Sequence, residues 1–137
     1  MSVPSKNTAV PSALQPYLEW IENQKEGMTQ SVLQLVETNS YSRNLEGLAT
    51  VADQLTELFG GLGAPIQSVP LRPGEIIDDA GARTEFELGR ALRIIKRPEA
   101  PIRVLLVGHM DTVFPPDHPF QKPSLLEDGI LRGPGAA

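Results

Sequence analysis

The run Val104-Leu105-Leu106-Val107, with Ile102 just ahead of it, constrains this chain more than any other stretch. An unbroken apolar segment rich in β-favouring residues offers no polar face to water. It predicts a central strand over residues 102–107, covered on both faces. The run is far shorter than the ~20 residues that cross a bilayer. The chain must therefore build layers around a sheet, and an α/β fold is the expectation. Ahead of the run, residues 91–96 read as a second strand, with Leu92 and Ile94 on one face and Arg93 and Ile95 on the other. The short link from Pro98 to Pro101 favours antiparallel pairing of the two.

The N-terminal part has a helical period. Leu14, Leu18, Ile21, Met28, Val32 and Leu35 recur at steps of mostly three, four and seven, which places them on one stripe. Pro16 fits the first turn, where its missing N–H costs nothing. Gly27 is where the stretch could split. Tyr17 and Trp20 lie on or near the stripe and read as packing residues. A second helix starts at Asn44, a capping residue, with Glu46 in its first turn. Leu45, Leu48, Ala52, Leu55 and Phe59 form its apolar face, and Gly60, Gly61 and Gly63 stop it. Residues 66–71 read as a short strand. Residues 72–90 are an irregular connection with room for a strand at 85–88. Residues 114–123 hold four prolines, which excludes regular structure. Residues 125–131 read as a hairpin turning at Asp128-Gly129. Residues 1–11 are expected to be a disordered tail, and 12–137 part of one domain.

Composition removes several classes of function. There is no cysteine, so disulfides and Cys-based metal sites are excluded. Twelve Lys and Arg stand against 17 Asp and Glu, a formal charge of −5, which disfavours nucleic-acid binding. Arg83, Arg90, Arg93, Lys96, Arg97 and Arg103 alternate with Glu85, Glu87 and Glu99 and read as a solvated face. With no apolar stretch behind the N-terminus and no membrane-length run, the expected location is cytoplasmic, with no membrane partner.

The chemistry sits directly after the apolar run, in Gly108-His109-Met110-Asp111-Thr112-Val113. Ligands of open α/β sheets bind beyond the carboxyl ends of strands. In an extended segment His109 and Asp111, two apart, point the same way. Imidazole is a common metal ligand, and a neighbouring carboxylate can orient it and raise its basicity. His118, in Phe114-Pro-Pro-Asp-His-Pro-Phe, reads as a solvent-facing loop residue. Asp78-Asp79 and Asp117 match no calcium-loop spacing.

The stretch from Val104 through Gly-His-Met-Asp-Thr-Val to Phe114 is followed by Asp128-Gly-Ile-Leu-Arg-Gly-Pro-Gly-Ala-Ala137. Together they resemble the zinc metallopeptidase family of glutamate carboxypeptidase, acetylornithine deacetylase and succinyl-diaminopimelate desuccinylase. The resemblance runs from about Leu14 onward, with the specific motifs confined to residues 104–137. It implies N-terminal helices followed by the first strands of a mixed-sheet, zinc-peptidase-like catalytic domain, truncated. It gives His109 the role of a metal ligand and Asp111 that of the catalytic-site aspartate supporting it. Gly133-Pro134-Gly135 matches the turn leading to the next ligand, an aspartate expected just after Ala137. The complete enzyme would carry two divalent metal ions, zinc in the first place, with cobalt or manganese compatible with a His/carboxylate set. Its substrate would be a small peptide or N-acyl amino acid with a free carboxylate, and a homodimer could form through a segment outside the 137 residues. The glutamate carboxypeptidase branch fits best. A catalytic zinc needs about three protein ligands, so these residues alone are expected to be inactive. The alternative is a non-catalytic truncated or degenerate relative acting at most as a binding module.

Overall fold

The computed structural model describes residues 11–127 and 129–136. Residues 1–10 of the expected tail, Asp128 of the expected turn and Ala137 lie outside the described residues. Contacts divide the chain into two units, residues 1–32 and 33–137, with the boundary inside the second helix. The chain combines helices with small antiparallel sheets.

In the first unit, a single 3-10 turn, Ser12–Leu14, leads into α1, Gln15–Asn23, and then into α2, Lys25–Val36. Pro16 occupies the first turn of α1 as expected. The break between the helices falls at Gln24 and not at Gly27. The apolar stripe is present but uncovered. Tyr17 is 67% and Trp20 64% exposed, so neither is a packing residue here. Periodicity identifies a face that can be buried, but does not supply the surface that buries it.

The second unit is organised around α3, Leu45–Phe59. The Asn44 side chain accepts a hydrogen bond from the Gly47 backbone N–H at 3.2 Å, which satisfies one of the free donors of the first turn. Leu48, Val51 and Ala52 are buried along α3, and Val36 at the end of α2 completes a small core. Leu45 and Phe59 lie at the ends of the apolar face and are over a third exposed, while Val51 takes an inner position. A 3-10 turn at Gly60–Leu62 follows, and Gly63 at φ +65° ends the helical stretch as its glycines predict.

Strand β1, Ile66–Pro70, pairs antiparallel with β4, Arg90–Ile94, in the register Ile66 to Ile94 and Pro70 to Arg90. Between them β2, Gly74–Ile77, and β3, Arg83–Phe86, form a second ribbon. Asp78 accepts the backbone N–H groups of Ala80 and Ala82 and so builds the β2–β3 turn. Helix α3 packs on β4, and Arg90 forms an ion pair with Asp53 of the helix. The charged residues of this region are mostly exposed, as a solvated face would be; Arg83 pairs with Glu75 across the β2–β3 ribbon at 3.3 Å. Strands β5, Ser124–Leu125, and β6, Leu131–Arg132, close the expected hairpin, with Gly129 at φ +79° in its turn.

The expected central strand does not form. Residues 102–107 belong to no strand and make no hydrogen bond among the described residues. Ile102, Val104, Leu105, Leu106 and Val107 are 78–90% exposed. The antiparallel pairing with residues 91–96 is also absent: among the described residues β4 pairs with β1 alone, and its other edge takes no strand. The chain leaves β4 through Arg97, at φ +54°, and a turn closed by Ala100 N–H on the Arg97 carbonyl. A strand exists only by virtue of a neighbour, and this apolar run has none.

Candidate functional site

The site grows out of the linker between α2 and α3. Asn39 anchors it: its side-chain amide donates to the Phe114 carbonyl at 3.0 Å and to Gln121 Oε1 at 2.6 Å. Asn44 in turn donates to the Asn39 carbonyl at 2.8 Å. Gly47 sits so close to that carbonyl that a β-carbon would overlap it. One residue on, the buried Ser40 accepts the Thr112 N–H at 2.8 Å, and Tyr41 bridges Thr112 in parallel. The linker thus fixes the backbone of the Gly-His-Met-Asp-Thr motif even though no strand leads into it.

His109 and Asp111 come together as their spacing predicts. The ring Nδ1 lies 3.0 Å from Asp111 Oδ1 and 2.9 Å from the Asp111 carbonyl oxygen. Both partners are acceptors, so in the neutral ring Nδ1 carries the hydrogen and Nε2 the lone pair. The His109 side chain is 85% exposed. Asp111 Oδ2 accepts the Ser42 hydroxyl at 2.5 Å. That bond, more than the His109 contacts, holds the Asp111 carboxyl below its usual pKa of 3.8, against a smaller upward push from burial. Ser42 carries no mark in the sequence that links it to Asp111, being 69 residues away.

The second motif reaches the same place. Pro134 is buried, and Gly135 at φ +73° lies against Thr112, whose Cγ2 is 2.7 Å from where a Gly135 β-carbon would stand. Gly133 packs just as closely on Val36. A cleft of about 230 Å³ is lined by Leu35, Val36, Ser40, Val51, Leu55, His109, Met110, Asp111, Thr112, Pro134 and Gly135. A larger hollow of about 490 Å³ opens over the α1–α2 junction, lined by residues such as Glu22, Lys25 and Glu26, and contains neither motif.

His118 departs from the expectation of a solvent-facing residue. It is half-buried, its ring centroid lies 4.6 Å from that of Phe114, and its Nδ1 accepts the Phe120 N–H at 3.1 Å. It folds the proline-rich loop onto itself and lies outside the cleft lining.

The donor chemistry fits one metal ligand with its support. His109 has Nδ1–H engaged by a carboxylate and Nε2 accessible, the arrangement found on metal-ligating histidines. Among the described residues no group of three or more His, Cys, Asp or Glu converges. Among them, too, no helix is long and apolar enough to cross a membrane. No protein-family model matches the chain, and no curated protein or solved structure shows significant similarity to it.

Proposed function

We propose that this chain is the N-terminal portion of a metal-dependent amide hydrolase of the glutamate carboxypeptidase type, acting on peptides or N-acyl amino acids with a free carboxylate. The observation that carries this reading is convergence. Gly108-His109-Met110-Asp111-Thr112 and Gly133-Pro134-Gly135 meet at one cleft, with Asp111 holding Nδ1 of His109. His109 is the ligand, through Nε2. Asp111 orients the ring and keeps its hydrogen on Nδ1. Divalent ions in such a centre, zinc above all, supply Lewis acidity toward the scissile carbonyl and toward water. A complete centre of this kind needs further ligands and a general base beside His109.

The test uses the protein translated from its complete coding sequence. Chelator-reversible hydrolysis of an N-acylated glutamate or a short peptide is expected, abolished by His109→Ala. Replacing Asp111 with Asn should cost about 10–100-fold in metal affinity or activity. Hydrolysis indifferent to both chelator and His109→Ala would overturn the reading.

A further inference from the structure

The linker holds the motif at two levels. Ser40 and Tyr41 hold its main chain at Thr112, while Ser42 reaches a side chain. The carboxylate torsion of an aspartate is broad and poorly fixed by its own rotamer preferences. In this chain the Ser42 hydroxyl pins Oδ2 with a short, charge-assisted bond of 2.5 Å, which leaves Oδ1 facing His109 Nδ1 at 3.0 Å. A neutral histidine without such a partner prefers its hydrogen on Nε2, the nitrogen that a metal ion would need.

We propose that Ser42 is a positioning residue for His109: by clamping Asp111 it keeps the ring hydrogen on Nδ1 and leaves Nε2 open as a ligand for a divalent metal ion. The purpose of this device rests on the metallohydrolase reading; its geometry does not. The Asp111 carbonyl oxygen also receives Nδ1–H, at 2.9 Å, and is held in place through Thr112 and Ser40. Removing the hydroxyl therefore shifts the tautomer balance without inverting it completely.

The tautomer can be read directly. Long-range ¹H–¹⁵N correlation spectra of the imidazoles, taken at about pH 8.5, well above the ~6.5 of an ordinary histidine, on the metal-stripped protein translated from its complete coding sequence, distinguish the two forms. Wild type is expected to show His109 in the Nδ1–H form. Ser42→Ala should raise the Nε2–H population several-fold, with the backbone amide spectrum otherwise preserved. Ser42→Gly removes the same hydroxyl with a residue that linkers and turns accept readily, and carries the same test should alanine unfold the linker. A wild-type tautomer in either folded variant, or an Nε2–H ring in the wild type, would overturn the proposal. Because no metal is present, these outcomes are independent of the hydrolysis assay. A chelator-insensitive enzyme would remove the metal reading and leave the Ser42–Asp111–His109 coupling standing.

Discussion

Thr112 packs its γ-methyl against the backbone of Gly135, at a point where a β-carbon would come within 2.7 Å of it. Gly135 also has φ +73°, a conformation that costs other L-residues roughly 1–2 kcal/mol. Gly135→Ala meets both penalties. It is expected to destabilise the fold by about 1–3 kcal/mol, measured by urea denaturation. Gly60→Ala is the control, since nothing lies near its added β-carbon and its φ is −54°.

The same Thr112 carries a hydroxyl that is buried without a hydrogen-bond partner among the described residues. Burying an unsatisfied hydroxyl costs about 1–3 kcal/mol. Thr112→Val keeps a methyl toward Gly135 and removes the unsatisfied oxygen. It should leave stability unchanged or raise it by about 1 kcal/mol. A clear loss in a denaturant titration would show that the hydroxyl has a partner in solution.

Acid should loosen the linker's hold on the motif. The Asp111 carboxyl titrates below 3.8, chiefly because it accepts the Ser42 hydroxyl. A carboxyl whose pKa is lower folded than unfolded contributes stability fully above the unfolded value. That contribution fades as pH falls through the folded value, so the window lies below about pH 3.8. The side chain is 43% exposed, and solvent screening keeps the effect small. Carboxyl ¹³C shifts should place the Asp111 midpoint below 3.8 in wild type and higher in Ser42→Ala.

The bare apolar run should dominate the solution behaviour of the isolated chain. Val104 to Val107 are 78–90% exposed with their backbone groups unpaired among the described residues, a combination that favours intermolecular strand pairing. Leu105→Lys is expected to reduce light scattering at a given concentration. It should also leave the unfolding free energy within about 0.5 kcal/mol, since Leu105 is 85% exposed. Unchanged scattering would point to another sticky surface, such as the uncovered stripe of α1.

How much could be read from the sequence depended on distance along the chain. Asn44 as a cap, α3 and its glycine stop, β1 and the 125–131 hairpin all follow from signals a few residues wide. So does the His109–Asp111 contact, whose two members are neighbours in sequence. The 102–107 strand failed because apolar content reports a need for cover and says nothing of whether a partner strand exists. Tyr17 and Trp20 failed for the same reason. Ser42 was invisible because its partner is 69 residues away, and a serine between two helices is ordinarily just a turn former. His118 departs from a solvent-facing reading because Phe114 and Phe120 give the proline-rich loop a small interior of its own, which four prolines do not announce.

The anchoring role of Asn39 has a kinetic side. Its bonds to Phe114 and Gln121 span 75 and 82 residues, and the Ser42–Asp111 bond spans 69. The α3 helix needs only local closure, and the β1–β4 ribbon a loop less than half as long. Loop-closure entropy must be overcome before such distant contacts give anything back. The motif is therefore expected to assemble after α3 and after the β1–β4 ribbon. An opening there would part Asp111 from Ser42 while α3, closed by local bonds, stays intact.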